Sequence, residues 1–321
     1  MQSDLVSVII PVFNAEKYIV ECIDAVLMQT HANLEVIIVN DGSTDRTSYL
    51  INQYKDARLI IVNQENKGCS SAKNTGLHRA NGAFIQYLDA DDILSINKIE
   101  QQVKSLQDLE NSIAVCKTLI IQDNINQVIS EVDTELIKSE GSGIEFLLRL
   151  LGSHGVSGMV QPNAYLITRN IANKIGGWNE KISPSPDEDG EYFARALCCA
   201  DKVIFTAGIN YYRKPLNSSS LSKQYSFDRA NNLLKTVDLK FQHIFKLEKT
   251  NRTQKLYQLN ISQVAYQFGM DYPELLNNSL NYLADYKYKK LTVNRPKLFS
   301  IISRILGFKF TVYLKKTLIK I

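Results

Sequence analysis

The sequence holds no run of 18 or more apolar residues, so it offers no candidate transmembrane helix. Its five cysteines, Cys22, Cys69, Cys116, Cys198 and Cys199, are odd in number and show no Cys-x-x-Cys spacing. That argues against a disulfide framework or structural zinc and for a reducing cytosol, with the thiols as packing residues. The opening Met-Gln-Ser-Asp-Leu-Val lacks the charged-then-apolar layout of a signal peptide. No internal repeat or low-complexity tract is evident. What remains is an ordinary globular composition, 45% hydrophobic and 22% charged, in 321 residues. That length suits one large α/β domain with an appendage, or two domains.

The first half alternates short apolar runs with amphipathic ones. Val6–Val12, Leu34–Val39, Arg58–Val62 and Ala83–Leu88 read as strands. Between them, Ala15–Gln29, a stretch ending at Tyr54, and Ser70–Arg79 read as helices; Ile19, Cys22, Ile23, Val26 and Leu27 share one face of the first. This order predicts an α/β fold, a mostly parallel sheet with helices on both faces. Downstream, Ile96–Leu109 reads as a helix, Ile113–Ile121 as a strand, 123–133 as a loop or hairpin, Gly143–Leu151 as a helix and Asn163–Thr168 as a strand.

Three strand ends carry polar residues that a buried strand has no use for. Strand one ends in Pro11-Val12-Phe13-Asn14, with Asn14 placed to cap the next helix, and strand two in Asp41-Gly42-Ser43. Strand four runs into Asp89, Asp91 and Asp92. Acids at the end of a buried strand are costly unless something cationic meets them. Ligands of open α/β sheets bind at the carboxyl ends of strands. The acids therefore suggest a hard divalent cation, its shell completed by diphosphate oxygens. The plainer alternative is a polar loop whose Asp92 caps a helix beginning near Ile93. Asp41 is suited to accept hydrogen bonds from a nucleobase or ribose, or to shape its loop as an Asx-turn.

In order, Val6-Ser-Val-Ile-Ile-Pro-Val-Phe-Asn14, Asp41-Gly-Ser-Thr-Asp45, Asn66-Lys-Gly68, Asn74-Thr-Gly76 and Leu88-Asp-Ala-Asp-Asp92 resemble family-2 glycosyltransferases of the A-type fold. The resemblance implies transfer of a sugar from a nucleotide donor, a UDP-sugar above all, with inversion at the anomeric carbon. It implies that Pro11, Phe13, Asn14 and Asp41 contact the nucleoside, Lys73 the diphosphate, and Asp89 the ribose and metal. Asp91 would ligate Mn²⁺ or Mg²⁺ directly. Such a displacement needs a general base remote from the metal motif. Family members often carry a Glu-Asp pair with an Arg six residues after the Asp. Glu188, Asp189 and Arg195 match that pattern, which makes Asp189 the base and Glu188 its neighbour. Acids at a helix N-terminus also complement the helix dipole, which is the competing account. Gly176-Gly-Trp178 resembles an element near the donor or acceptor sugar; Trp178, the only tryptophan, stacks on a sugar or fills the core. Arg213 is placed to reach the diphosphate on a closing loop including 217–222, or to sit solvated on the surface. His154, in a loop-like stretch, reads as a surface residue.

The catalytic domain is expected to span 1–222 and a helical C-terminal region 223–321. From Asp228 to Tyr286 the pattern is helical with hardly any glycine, and the resemblance does not reach it. After Asp285 every charged side chain is basic. Leu298, Ile301, Ile302 and Ile305 share one helical face, and Phe310, Leu314, Leu318 and Ile321 share another. Basic amphipathic helices suit an anionic membrane surface, or pack on their own protein. Nucleic acid fits less well, because no nucleic-acid motif accompanies the charges. The expected protein is a cytoplasmic, metal-dependent transferase, peripheral on the inner face of the membrane. Its acceptor would be a glycan or lipid-linked hydroxyl in polysaccharide, lipopolysaccharide or other glycoconjugate synthesis. The alternative is a non-catalytic sugar-nucleotide or glycan-binding protein, which has no need of a base. A sugar-nucleotide-forming nucleotidyltransferase would carry a glycine-rich loop after strand one, and Pro11-Val-Phe-Asn14 has no glycine.

Overall fold

A computed structural model describes residues 4–132, 135, 137, 141–155, 157–214, 226–292, 307–309 and 311–312. The chain forms two compact units. The first comprises Met1–Leu150, Ser157–Glu180 and Tyr192–Ser218, the second Leu151–Val156, Lys181–Glu191 and Ser219–Ile321.

The first unit opens with β1 (Val6–Val12), α1 (Ile19–Leu27), β2 (Leu34–Asp41), α2 (Thr47–Ile51), β3 (Leu59–Gln64), α3 (Cys69–Arg79) and β4 (Phe84–Tyr87). It continues through β5 (Ile93–Leu94), α4 (Lys98–Ser105), β6 (Ser112–Ile121), β7 (Val128–Glu131) and α5 (Gly143–Leu150). Then follow β8 (Tyr165–Thr168), α6 (Arg169–Ile175) and β9 (Lys202–Arg213). One mixed sheet runs β3-β2-β1-β4-β8-β6-β9-β5, with β7 paired to β6. The expected parallel block is its first half, where β2 and β4 flank β1 in parallel and β3 joins β2. Beyond β4 the sheet extends antiparallel through β8 to β6. The segment foreseen as a loop or hairpin is a hairpin, β7 folding back on β6.

The apolar runs dictate this core. All seven residues of β1 and all four of β4 are buried, as a central parallel sheet requires. On α1 the buried face is Ile19, Cys22, Ile23, Ala25 and Val26; each large aliphatic side chain so removed from water contributes roughly 1.5–3 kcal/mol. Gly76 of α3 lies so close to β1 that a Cβ there would stand 2.4 Å from Ile9 Cγ2. Pro11 survives in a central strand because β4 pairing ends at Ile9↔Tyr87, so its missing N–H breaks no ladder bond there. Past that point the ends of β1 and β4 are no longer paired.

The second unit contains α8 (Phe227–Leu247), α9 (Asn251–Phe268) and α10 (Glu274–Leu283). Ser226 caps α8 through its side chain, and Thr250 with Thr253 forms a capping box on α9. Ala230, Leu234, Val237, Phe241 and Ile244 recur at helical spacing as the buried face of α8. Val312 is buried with Tyr266. The helix α7 (Glu188–Cys198) carries the boundary: its residues to Glu191 belong to the second unit and those from Tyr192 to the first. Most of the basic C-terminal segment, and the 217–222 loop, lie outside the described residues. Among the described residues no helix is long and apolar enough to cross a membrane.

Candidate active site

The ends of β1, β2 and β4 meet at the same edge of the sheet because the three strands are parallel neighbours. The loops that leave β1 and β2 are fastened to each other. Asn14 adopts a left-handed φ of 48° and does not cap a helix, since α1 starts only at Ile19 after Tyr18. Its Oδ1 instead accepts from Thr44 N at 2.8 Å, and its N–H donates to Ser43 Oγ at 3.1 Å. Ala15 N donates to Thr47 Oγ1 at 2.8 Å, and Glu16 N to Asp45 Oδ2 at 3.1 Å. Phe13 stands out of this pair of loops, 49% exposed.

Asp41 is buried, and its carboxylate is already engaged. Oδ1 accepts from Lys67 N at 2.9 Å and from Gln64 Nε2 at 2.7 Å, while Oδ2 accepts from Gly68 N at 2.9 Å. The acid therefore pins the Asn66-Lys67-Gly68 loop, whose Gly68 holds a φ of 90° that favours glycine. The side-chain bond that shapes the turn after β2 comes from Asn40, whose Oδ1 accepts from Ser43 N at 3.1 Å.

The acidic turn after β4 is the centre of the site. Asp92 caps no helix: Ile93–Leu94 is a short strand and α4 begins at Lys98. Asp92 is instead wholly buried, with Oδ1 accepting from Arg213 N at 2.8 Å and Oδ2 accepting from Asn163 Nδ2. Burial, with the charges of Asp91 and Asp89 added, holds its carboxyl well above the usual range. Arg213 is neither solvated nor on an open loop. It is 4% exposed, and its Nε donates to the Asp91 carbonyl at 2.7 Å and its guanidinium to Glu21 Oε2 at 2.7 Å and to the Asp123 carbonyl. The same group lies 4.4 Å from the centre of the Tyr18 ring.

Asp89 and Asp91 are half-buried. Asp89 Oδ1 is 3.6 Å from Lys73 Nζ, an ammonium buried beneath it. Among the described residues Asp91 has no ion-pair partner, and burial together with the Asp89 charge pushes its carboxyl up to about 6. A carboxyl perturbed by burial and a like charge at a sheet edge marks the turn as a candidate functional site. No three His, Cys, Asp or Glu side chains converge as a metal cage among the described residues. One or two carboxylates plus substrate phosphates is nevertheless a usual way of holding Mg²⁺, and Asp91 with Asp89 fits it.

Trp178 belongs to the core. It is 4% exposed and stacks on Tyr192 with ring centres 4.3 Å apart, while the Lys73 ammonium lies 4.1 Å from its centre. An aromatic ring and a cation are both held against it, and with 4% exposure it fills the core. Asn74 secures its backbone, Oδ1 accepting from Trp178 N at 2.6 Å and Nδ2 donating to Trp178 O at 3.0 Å. Arg195 donates to the carbonyls of Ile175 at 2.5 Å and Gly177 at 2.9 Å, fixing the same loop.

The acids 187–191 lie in the second unit. Asp187 pairs with Lys240, and the buried Glu191 has His243 Nε2 at 3.7 Å. Glu188 Oε1 accepts from Ser185 N at 3.0 Å, so it caps the start of α7. Asp189 is half-buried. Residues that motif reading missed are Asn163, Gln86 and Glu21. The available signal was a glutamine inside the apolar run Ala83–Leu88, which a buried strand carries only with partners.

Comparison with known proteins follows the same residues. The family model described as Glycosyl transferase family 2 matches residues 7–166. Glycosyltransferase GlyG of Streptococcus pneumoniae serotype 4 is 27% identical over 244 residues, 74% of this chain and 80% of that one. An uncharacterised glycosyltransferase of Rickettsia prowazekii is 34% identical over 189 residues, 58% of this chain and 57% of that one. The UDP-Glc:alpha-D-GlcNAc-diphosphoundecaprenol beta-1,3-glucosyltransferase WfgD of Escherichia coli is 41% identical over 115 residues, 36% of this chain and 45% of that one. Of these last two relatives the matched region spans only about half the length. The crystal structure of S. aureus TarS 1–349 in complex with UDP-GlcNAc superposes with a TM-score of 0.70 at 17% identity, covering 100% of this chain and 92% of that one. At that identity the likeness is one of fold.

Proposed function

We propose that this chain, which belongs to glycosyl transferase family 2 through residues 7–166, moves a sugar from a nucleotide-diphosphate donor to a hydroxyl acceptor with inversion. The observation that carries the reading is the Asp89-Ala-Asp91 turn at the end of β4, beside the ends of β1 and β2, with Asp91 raised and without an ion-pair partner among the described residues. A uridine diphosphate sugar is the donor class. TarS was crystallised with UDP-GlcNAc, and the name of WfgD specifies UDP-Glc, which supports that choice. Phe13 and the joined loops of β1 and β2 would receive the nucleoside, with Pro11, Asn14 and Asp41 shaping the floor.

Asp91, with Asp89, would hold Mn²⁺ or Mg²⁺, which when bound supplies Lewis-acid stabilisation of the departing diphosphate. Lys73 balances the charge of Asp89 and adds positive potential where diphosphate charge develops. Asp189 takes the proton from the acceptor hydroxyl. Of its neighbours, Asp187 pairs with Lys240 and Glu188 accepts from Ser185 N. The acceptor is a glycan or lipid-linked hydroxyl of a cell-envelope polysaccharide, a class that the diphosphoundecaprenol in the WfgD name supports. Attachment to an anionic membrane rests on the basic sequence after Asp285 alone.

Thermal protection by a panel of nucleotide sugars, with Mn²⁺ or with excess chelator, tests this. Protection by UDP-sugars that needs the cation is expected. Equal protection in chelator would remove the metal, and no protection by any sugar nucleotide would remove the donor.

A further inference from the structure

Asn163 lies just before β8, far in sequence from the acidic turn, with its side chain wholly buried. Both of its amide atoms are committed to that turn. Oδ1 accepts from the Asp89 backbone N–H at 3.1 Å, and Nδ2 donates to Asp92 Oδ2. Its own carbonyl accepts from Gln86 Nε2 at 3.0 Å, and Gln86 Oε1 accepts from the buried ammonium of Lys98. Arg213 closes the opposite side through Asp92 Oδ1 and the Asp91 carbonyl, and Asp92 N donates to the Asp89 carbonyl at 3.0 Å. Asp89 has Lys73 and Asp92 has Asn163 and Arg213. Of the three acids, only the Asp91 carboxylate receives no such partner from another residue among those described.

The chemistry at this position asks for an amide. One planar group must offer an acceptor to a backbone N–H and a donor to a carboxylate, and only Asn or Gln presents both on adjacent atoms. A carboxylate at 163 would set two acids against each other inside the core, and an aliphatic residue would leave a buried N–H and a buried carboxylate oxygen without a bond. We propose that Asn163 is the positioning residue of the Asp89–Asp92 turn, its amide fixing the one backbone arrangement that leaves the Asp91 carboxylate ready for a divalent cation. The inference rests on the metal-dependent reading above and adds the residue that prepares the site. It acts as partners behind metal ligands do, by removing the freedom of the ligand loop.

Mn²⁺ binding to the full-length protein, followed by electron paramagnetic resonance with and without UDP, reads this together with amide hydrogen exchange across residues 88–93. Asn163→Ala is expected to weaken Mn²⁺ about tenfold or more. It should also speed exchange in the turn while β1 and β2 keep wild-type protection. Asn163→Asp alone should do the same. Asn163→Asp combined with Asp92→Asn exchanges amide and carboxylate and can restore each bond, including that from Arg213 N, so it should recover most of the lost affinity. The proposal falls if Asn163→Ala leaves both Mn²⁺ affinity and turn exchange unchanged, or if the paired exchange is as impaired as the single change. Should Asn163→Ala fail to fold, the isosteric pair decides. Should the wild-type protein bind no Mn²⁺ at all, the metal reading fails by itself. The turn is then judged by exchange and UDP affinity: faster exchange with weaker UDP binding in the variants sustains the positioning role, and unchanged exchange ends it.

Discussion

Two runs of acids, Asp89–Asp92 in the first unit and Asp187–Glu191 in the second, have similar compositions and opposite electrostatic states. In the second, the chain supplies its own positive charge to Asp187 through Lys240, and His243 Nε2 stands 3.7 Å from Glu191. In the first, Lys73 serves Asp89, but the bonds to Asp92 are one backbone N–H and one amide, neither of which carries a full charge. Asp91 is left raised to about 6 by burial and by Asp89. The two runs thus differ in which of their acids the fold pairs with a cation of its own. The count of carboxylates is silent on that point.

The most severe way to break the contrast is Asp91→Ala. Transfer should be abolished while the melting temperature stays level or rises, since the substitution removes an unfavourable buried charge. Retained turnover would mean that the turn is not the metal site. Next in size is Asp189→Asn, which keeps shape but loses proton affinity. Single-turnover transfer should fall about 10²–10⁴-fold with donor affinity retained, the usual contribution of a positioned base. A wild-type protein that binds donor yet transfers to no acceptor would favour a binding protein.

The cations sharpen the same contrast. Lys98 is buried with no acid paired to it among the described residues, its ammonium donating to Gln86 Oε1, and burial lowers its pKa to about 8. Between that value and the ordinary 10.5 the unfolded chain holds the Lys98 proton and the folded one does not, so the Lys98 contribution to stability should rise with pH across the window, against the opposite contribution of the buried Cys116 thiol. At about 1.4 kcal/mol per unit the Lys98 contribution amounts to about 3 kcal/mol. Urea unfolding of the wild type and of Lys98→Met at pH 8 and pH 10 measures it as the difference between the two slopes. Lys240 has its acid, and its removal shows the reverse. Lys240→Met should cost about 2 kcal/mol near neutral pH, the range of a charged hydrogen bond, with most of it recovered by adding Asp187→Asn. Independent, additive losses would show that the pair is not coupled.

Much of the fold was legible because its signals are local. Val6–Val12 appears as a strand with the predicted ends, and Gly143–Leu150 differs from the predicted helix by one residue. The Asp89-Ala-Asp91 turn stood out because acids abut a largely apolar run. Misreadings arose where a side chain answers to residues distant in sequence. Asn14 was expected to serve the next helix and serves the neighbouring loop through Thr44, thirty positions away. Arg213 was expected at a surface or a diphosphate and is buried in contacts with residues from three other segments. Trp178 had two readings, and only its stacking with Tyr192 and Lys73 chose the core.

The sequence by itself determined the alternation of strands and helices, the parallel order of the first four strands and the sheet edge at which their polar ends gather. Periodicity and strand-end residues encode all three within a few positions. The tertiary structure alone decided which acids gain partners, because that depends on cations and amides brought from far along the chain: Lys73 to Asp89, Asn163 and the Arg213 backbone to Asp92, Lys240 to Asp187. Charge in a folded protein is set by what lies within a few ångströms, and in this chain those neighbours are separated by 16 to 121 positions of sequence.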